Sequence, residues 1–191
     1  PGDGQVRALV CVAGNPVLST PNGRQLQKAL QGLDFMLAVD LYINETTCHA
    51  DLILPPTAPL EHDHYGTTFN ALAVRNVTRF NEAVLDKPAG ALHDWEIFIG
   101  LAQAFAARNG FTLKPTLAPE LMIDMGLRGG PYGAQSPWQL SLARLREQPH
   151  GIDLGALQAN LAARLKTPHG QVQLAPPLLL AELRRFLLEP R

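Results

Sequence analysis

Titratable side chains are densest at Glu61-His62-Asp63-His64, with His49 and Asp51 a short way upstream. In a loop His62 and His64 project to one side, and a hydrolytic metal asks for three such ligands plus one open position. Against that chemistry, the chain holds no His-Glu-x-x-His run and no second tight His or Cys pair. A solvated polar loop is therefore the stronger reading of these residues, and no bound metal is expected. Two other places invite chemistry. Gly14-Asn15-Pro16 follows the apolar run Ala8-Leu9-Val10-Cys11-Val12-Ala13, and Asp40 follows Phe35-Met36-Leu37-Ala38-Val39. The first is either a turn, Gly supplying a positive φ and Pro rigidity, or a backbone cradle for a phosphate or nucleoside. The second is either a turn former or a two-pronged acceptor for ribose hydroxyls or a guanine edge. Neither G-x-G-x-x-G nor G-x-x-x-x-G-K-[ST] is present, which disfavours a standard NAD site and a P-loop.

The elements that position these residues follow from the apolar pattern. A continuous apolar run that stops at Gly-Asn-Pro reads as a strand buried on both faces, the kind that parallel sheets require. Leu26 and Leu30 lie on one face of a short helix beginning near Pro21-Asn22, so the opening unit reads β-loop-α-β. Leu52-Ile53-Leu54, stopped by Pro55-Pro56, reads as a brief third parallel strand. In such sheets ligands sit beyond the carboxyl ends of the strands, so Gly14-Asn15-Pro16 and Asp40 are expected to face one crevice.

Between Thr67 and Val84 the pattern predicts irregular loop or short strand pairs. Asp94 is expected to cap a helix from Trp95 to Asn109, ended by Gly110, with Trp95, Ile97, Phe98, Leu101, Ala102 and Phe105 on the side that packs on the sheet. Three short helices are expected over residues 119–127, 137–146 and 154–165, then a short strand over 170–174 and a leucine-rich helix over 177–188 made to dock on something outside these residues. The expected division is an α/β domain over 1–150 and a helical C-terminal extension over 151–191.

Composition limits the partners. A hydrophobic share of 46% over 191 residues fits a folded chain, and a net charge of -1 gives no electrostatic reason to expect nucleic acid. No apolar run approaches the roughly 18 residues of a membrane span, and the first residues lack the basic and apolar regions of a signal peptide. Cys11 and Cys48 are too few for an iron–sulfur or zinc site, and a reduced buried Cys11 fits a cytoplasmic setting. The absence of an initiating Met suggests a piece of a longer polypeptide.

Several stretches together resemble one family. Val12-Ala13-Gly14-Asn15-Pro16, Val39-Asp40 followed by Asn44-Glu45-Thr46, then Ala50-Asp51-Leu52-Ile53-Leu54-Pro55 with Glu61, Gly66-Thr67, Asn70 and His93-Asp94-Trp95 are similar, in order and spacing, to the third domain of molybdopterin-dependent oxidoreductases of the dimethyl sulfoxide reductase family. Formate dehydrogenases and nitrate reductases belong to it. The resemblance is good over residues 5–110 and looser beyond. It implies a Rossmann-like domain that holds the guanosine end of one molybdopterin guanine dinucleotide. The cofactor contacts it implies are Gly14, Asn15, Pro16, Val39, Asp40, His62, where relatives carry Lys, and Asp94. It also implies that the molybdenum ligand, any iron–sulfur cluster and the catalytic residues belong to other domains of the parent enzyme, so that these residues alone give no turnover. The rival readings are a metal-dependent hydrolase using His49, Asp51, His62 and His64, and a nucleotide-binding module without catalysis.

Overall fold

The computed structural model describes residues 5–188. The chain divides into two compact units, Pro1–Leu154 and Gly155–Arg191.

The first unit opens with strand β1 (Ala8–Val12), the short helix α1 (Pro16–Ser19), helix α2 (Gly23–Leu30) and strand β2 (Phe35–Val39). A single 3₁₀ turn, Thr47–His49, leads to β3 (Leu52–Ile53). These strands form one parallel sheet in the order β1-β2-β3, with Ala8 opposite Phe35, Val12 opposite Val39 and Leu37 opposite Leu52. The helical connection from β1 to β2 is what parallel pairing demands, and the arrangement is Rossmann-like.

Central β2 carries the buried side chains Met36, Leu37, Ala38 and Val39. The expectation that β1 is buried on both faces is corrected. Its side chains alternate, Val10 and Val12 being about half exposed, because β1 is the outer strand of this sheet and only one of its faces is covered among the described residues. α1 lies so close to α2 that a Cβ on Gly23 would fall 2.0 Å from the Val17 carbonyl oxygen. Only glycine fits there, and this close approach packs α1 against α2.

Beyond β3 come β4 (His64–Tyr65), α3 (Thr67–Asn70), β5 (Arg75–Thr78) and β6 (Phe80–Asn81). β4 and β6 pair antiparallel, His64 opposite Asn81 and Tyr65 opposite Phe80. Short strands were expected here, and the helical turn α3 was not. Helix α4 (Asp94–Arg108) begins one residue earlier than expected: His93, with extended backbone, is the cap residue, and its N–H is accepted by Glu96 Oε2 at 2.8 Å. Asp94 is thus the first helical residue and not the cap. The buried side of α4 narrows to Ile97 and Ala106, with Leu101 partly covered, whereas Phe105 is 65% exposed.

Helices α5 (Pro119–Gly129) and α6 (Leu142–Arg146) build the other core with β6. There Phe80, Leu127, Leu140, Leu142 and Leu145 are buried together, flanked by Tyr65, Ile123 and Trp138. Asp124 ties the two helices: one carboxylate oxygen accepts from Leu142 N at 2.8 Å and the other from Arg128 Nε at 2.6 Å. α6 is shorter than the helix expected over 137–146.

Strand β7 (Ile152–Ala156), paired with β5, occupies the start of the segment expected to be helical over 154–165, and only α7 (Leu161–Arg164) of that helix forms. The Ile-Asp-Leu alternation has the two-residue period of a strand, and Gly155 takes a φ of 105°, which no helix accommodates. No strand forms over 170–174. The second unit closes with α8 (Pro177–Leu188), whose Leu178, Leu183, Leu187 and Leu188 are all exposed. No helix among the described residues is long and apolar enough to cross a membrane.

Candidate functional site

Where β1 ends, Ala13 N donates to Val39 O at 2.9 Å, extending the parallel ladder by one bond. Ala13 then turns the chain with a φ of 47°. The left-handed residue of the turn is therefore Ala13, whereas Gly14 was expected to supply the positive φ. An alanine held in this region costs about 1–2 kcal/mol, and such strain gathers where a backbone must take a particular path at a functional site.

Asn15 is gripped from the loop after β2. Its Oδ1 accepts from the Thr46 hydroxyl at 2.7 Å, and its Nδ2 donates to Glu45 Oε2 at 2.6 Å. The bond from Asn15 holds the exposed Glu45 carboxyl below its ordinary value. Thr46, fully buried, also accepts from Val17 N at 3.0 Å, so one hydroxyl joins both sides of the β1–α1 turn to the second loop. Pro16 sits at the first position of α1, where its lack of an N–H is harmless.

Asp40 lies half-buried at the tip of β2. Its Oδ1 accepts from Tyr42 N at 3.1 Å and its Oδ2 from Asn44 Nδ2 at 3.4 Å. Asn44 Oδ1 in turn accepts from the backbone N–H groups of Thr46 and Thr47, at 2.9 and 3.0 Å. Burial raises the pKa of the Cys11 thiol, the negative charge of Asp40 raises it further, and the thiol contacts Gly14 O at 3.4 Å. Cys11 and Cys48 are both free thiols. The side chain of Val39 is buried, so that residue faces the strand tips through its backbone.

The structure thus brings Gly14, Asn15, Pro16, Val39 and Asp40 to one end of the sheet. His62 and Asp94 line a different feature, a cavity of about 510 Å³ that they share with Lys87, His93, Trp95 and Glu120. His93 stacks on Trp95 with ring centroids 6.4 Å apart and meets the His62 ring edge-on at 6.1 Å. Thr57 Oγ1 fixes His93 Nδ1 at 2.7 Å. Lys87 is paired with Glu96, and that bond, followed by the one from His93 N, lowers the Glu96 pKa. Arg146 draws Asp63, Glu82 and Glu120 together near this cavity and lies 5.1 Å over the Phe80 ring.

The residues of the hydrolase reading do not converge. Among the described residues no group of three or more His, Cys, Asp or Glu is arranged to hold a metal ion. His64 is paired in the β4–β6 ladder, and the Asp51 carboxylate accepts from Met36 N at 2.7 Å at the start of β2. Asn44, Thr46, His93 and Lys87 were not singled out as site residues from the sequence. Asn44, Thr46 and His93 stand in the stretches that carry the family resemblance, which was their only signal.

A parallel sheet whose first turn and second strand tip are clamped together around a half-buried carboxylate defines an α/β domain of Rossmann-like arrangement. Residues 1–104 match the family model for molybdopterin oxidoreductase. The chain is 38% identical over 147 residues to the assimilatory nitrate reductase catalytic subunit of Bacillus subtilis, covering 76% of this chain and 19% of that protein. It is 36% identical over 106 residues to the F420-dependent formate dehydrogenase subunit alpha of Methanocaldococcus jannaschii, covering 56% and 15% respectively. A putative formate dehydrogenase of Staphylococcus aureus is 34% identical over 124 residues, covering 64% and 12%. The chain belongs to the molybdopterin oxidoreductase family, and it spans less than a fifth of the length of these relatives.

Proposed function

We propose that this chain anchors the guanosine end of a molybdopterin guanine dinucleotide at the carboxyl ends of β1 and β2, as the third domain of a molybdenum oxidoreductase. The observation that carries the reading is the Asp40 carboxylate. It is half-buried at the tip of the central strand, and the two groups that donate to it, Tyr42 N and Asn44 Nδ2, are local. A carboxylate has about four acceptor sites, so two local bonds leave room for a two-pronged donor such as the N–H edge of guanine or a ribose diol. Ligands of open α/β sheets bind beyond these strand ends. The free acceptor sites of this carboxylate therefore fit the N–H and O–H donors of a nucleoside.

In this reading Asn15 turns its remaining N–H and lone pair to the ligand, while Gly14, Pro16 and the Val39 backbone shape the approach. His62 and Asp94, which line the separate cavity, enter this reading by the family resemblance alone, the imidazole as a phosphate contact and the carboxylate as an acceptor for a further N–H or hydroxyl. The bound cofactor supplies the electron-transfer chemistry, and these residues hold and orient its nucleotide tail. The molybdenum ligand, and an iron–sulfur cluster if the parent has one, are supplied by its other domains. By the names of its relatives, the whole protein reduces or oxidises a small anion such as nitrate or formate.

The test is Asp40→Ala in the full-length protein that carries these residues, with guanine nucleotide released on acid denaturation counted per chain. Charge-assisted bonds of about 1.5–3 kcal/mol predict retention weakened at least about tenfold, with unfolding temperature little changed. Asp40→Asn keeps one acceptor oxygen and is expected to be milder. Unchanged nucleotide content in the folded Asp40→Ala protein would overturn the reading.

A further inference from the structure

We propose that the buried hydroxyl of Thr46 is the positioning group of the nucleotide site, a role that rests on the reading of Asp40 as a nucleoside anchor. Thr46 is 0% exposed, yet its hydroxyl and its backbone N–H are both hydrogen-bonded within the two loops that meet at the strand tips. The hydroxyl accepts from Val17 N at 3.0 Å, which leaves its proton for Asn15 Oδ1 at 2.7 Å. That direction fixes the Asn15 amide: the oxygen faces Thr46 and the nitrogen faces Glu45, so the remaining N–H is held in one orientation. On the other side Thr46 N donates to Asn44 Oδ1 at 2.9 Å, and Asn44 Nδ2 reaches Asp40 Oδ2 at 3.4 Å.

Thr46 thus joins two sets of bonds: its hydroxyl holds Val17 and Asn15, and its backbone N–H leads through Asn44 to Asp40. The link matters because the loop after β2 is tied by its own Asn44 and Thr47 bonds, whereas the β1–α1 turn has little regular structure to hold it. α1 has only the residues Pro16–Ser19, and the strained Ala13 would relax if the turn after it were released. Directional bonds to a fully buried hydroxyl hold both loops in one geometry, which a methyl group of the same size cannot do. Thr46 does not touch the ligand in this account. It sets the separation and facing of the residues that do.

The experiment compares T46V, T46S and D40A with the wild type in the full-length protein. Two quantities are read: guanine nucleotide per chain after acid denaturation, and hydrogen exchange of the Val17 amide, which does not depend on turnover. T46V is expected to speed Val17 exchange about tenfold and to lower nucleotide content by a similar factor. T46S keeps the hydroxyl and is expected to match the wild type in both. D40A is expected to lose nucleotide with Val17 still protected. Unchanged Val17 exchange or full nucleotide content in T46V, when D40A has lost its nucleotide, would overturn the positioning role. Loss of nucleotide in T46S would do the same, since the methyl and not the hydroxyl would then matter, and T46S decides the question if T46V fails to fold. Nucleotide retained by D40A would overturn the site reading itself, and with it this role.

Discussion

Asp51 separates the structural from the metal-binding account of the acidic and histidine residues. Its backbone N donates to Met36 O at 2.8 Å, and its carboxylate accepts from Met36 N at 2.7 Å, so it clasps both polar groups of the residue that begins the buried part of β2. Met36 is 1% exposed. Asp51→Ala leaves the Met36 N–H without its acceptor, a change worth about 1–3 kcal/mol for a buried donor. Asp51 itself lies at the surface, where water replaces part of the lost bond, so the lower half of that range, about 1–2 kcal/mol, is expected. At about 2–4 °C per kcal/mol for a chain of this size, the unfolding temperature should fall by about 2–8 °C. Met36 amide exchange should accelerate in parallel, whereas Asp51→Asn, which retains an acceptor oxygen, should recover most of the loss. Thermal unfolding and amide exchange of the three proteins, each with and without added zinc, make the comparison. Unchanged stability of Asp51→Ala, together with loss of a stoichiometric zinc held by the wild type, would refute this assignment.

Two further substitutions probe the second core. Leu145 is fully buried against Phe80, Leu127, Leu140 and Leu142, so Leu145→Ala should destabilise by about 2–5 kcal/mol, read as a lower urea midpoint with an unchanged slope. A loss below about 1 kcal/mol would mean that this cluster closes over the cavity or is not a core. Asp124 has its pKa lowered, first by Arg128 and then by Leu142 N. A native value below the unfolded one stabilises fully above the ordinary carboxylate range and is lost as the pH falls through the native value. Asp124→Asn should therefore be less stable than wild type at neutral pH, with the gap closing in acid. A gap that widened in acid would contradict the assignment.

The parallel sheet was legible because uninterrupted apolar runs ended by Gly-Asn-Pro, Asp40 and Pro55-Pro56 have few other readings. The leucine-rich helix over Pro177–Leu188 was legible from its Pro start. What escaped was set by partners distant in sequence. β1 reads as a two-sided strand, yet Val10 and Val12 are exposed because one face of β1 is left uncovered among the described residues, a fact of assembly that no local pattern carries. β7 was hidden by its brevity and by the helix-like leucines that follow Gly155. The cap of α4 was misassigned by one residue because Asp is the commoner cap, while here the Glu96 carboxylate reaches back to His93 N. At the site, the positions of Asp40 and the Gly14–Pro16 turn followed from strand ends. The Thr46 clamp did not, because it joins residues about thirty apart through a hydroxyl that looks like any other threonine in the sequence.

The central claim is that a guanine nucleoside sits on Asp40. A density map of the full-length, cofactor-loaded protein at side-chain resolution tests it most directly. The account predicts a guanine or ribose donor within hydrogen-bond distance of the Asp40 carboxylate, with the Asn15 amide still held by Thr46 and Glu45. A nucleotide tail bound elsewhere, with Asp40 facing solvent or another protein segment, would contradict it.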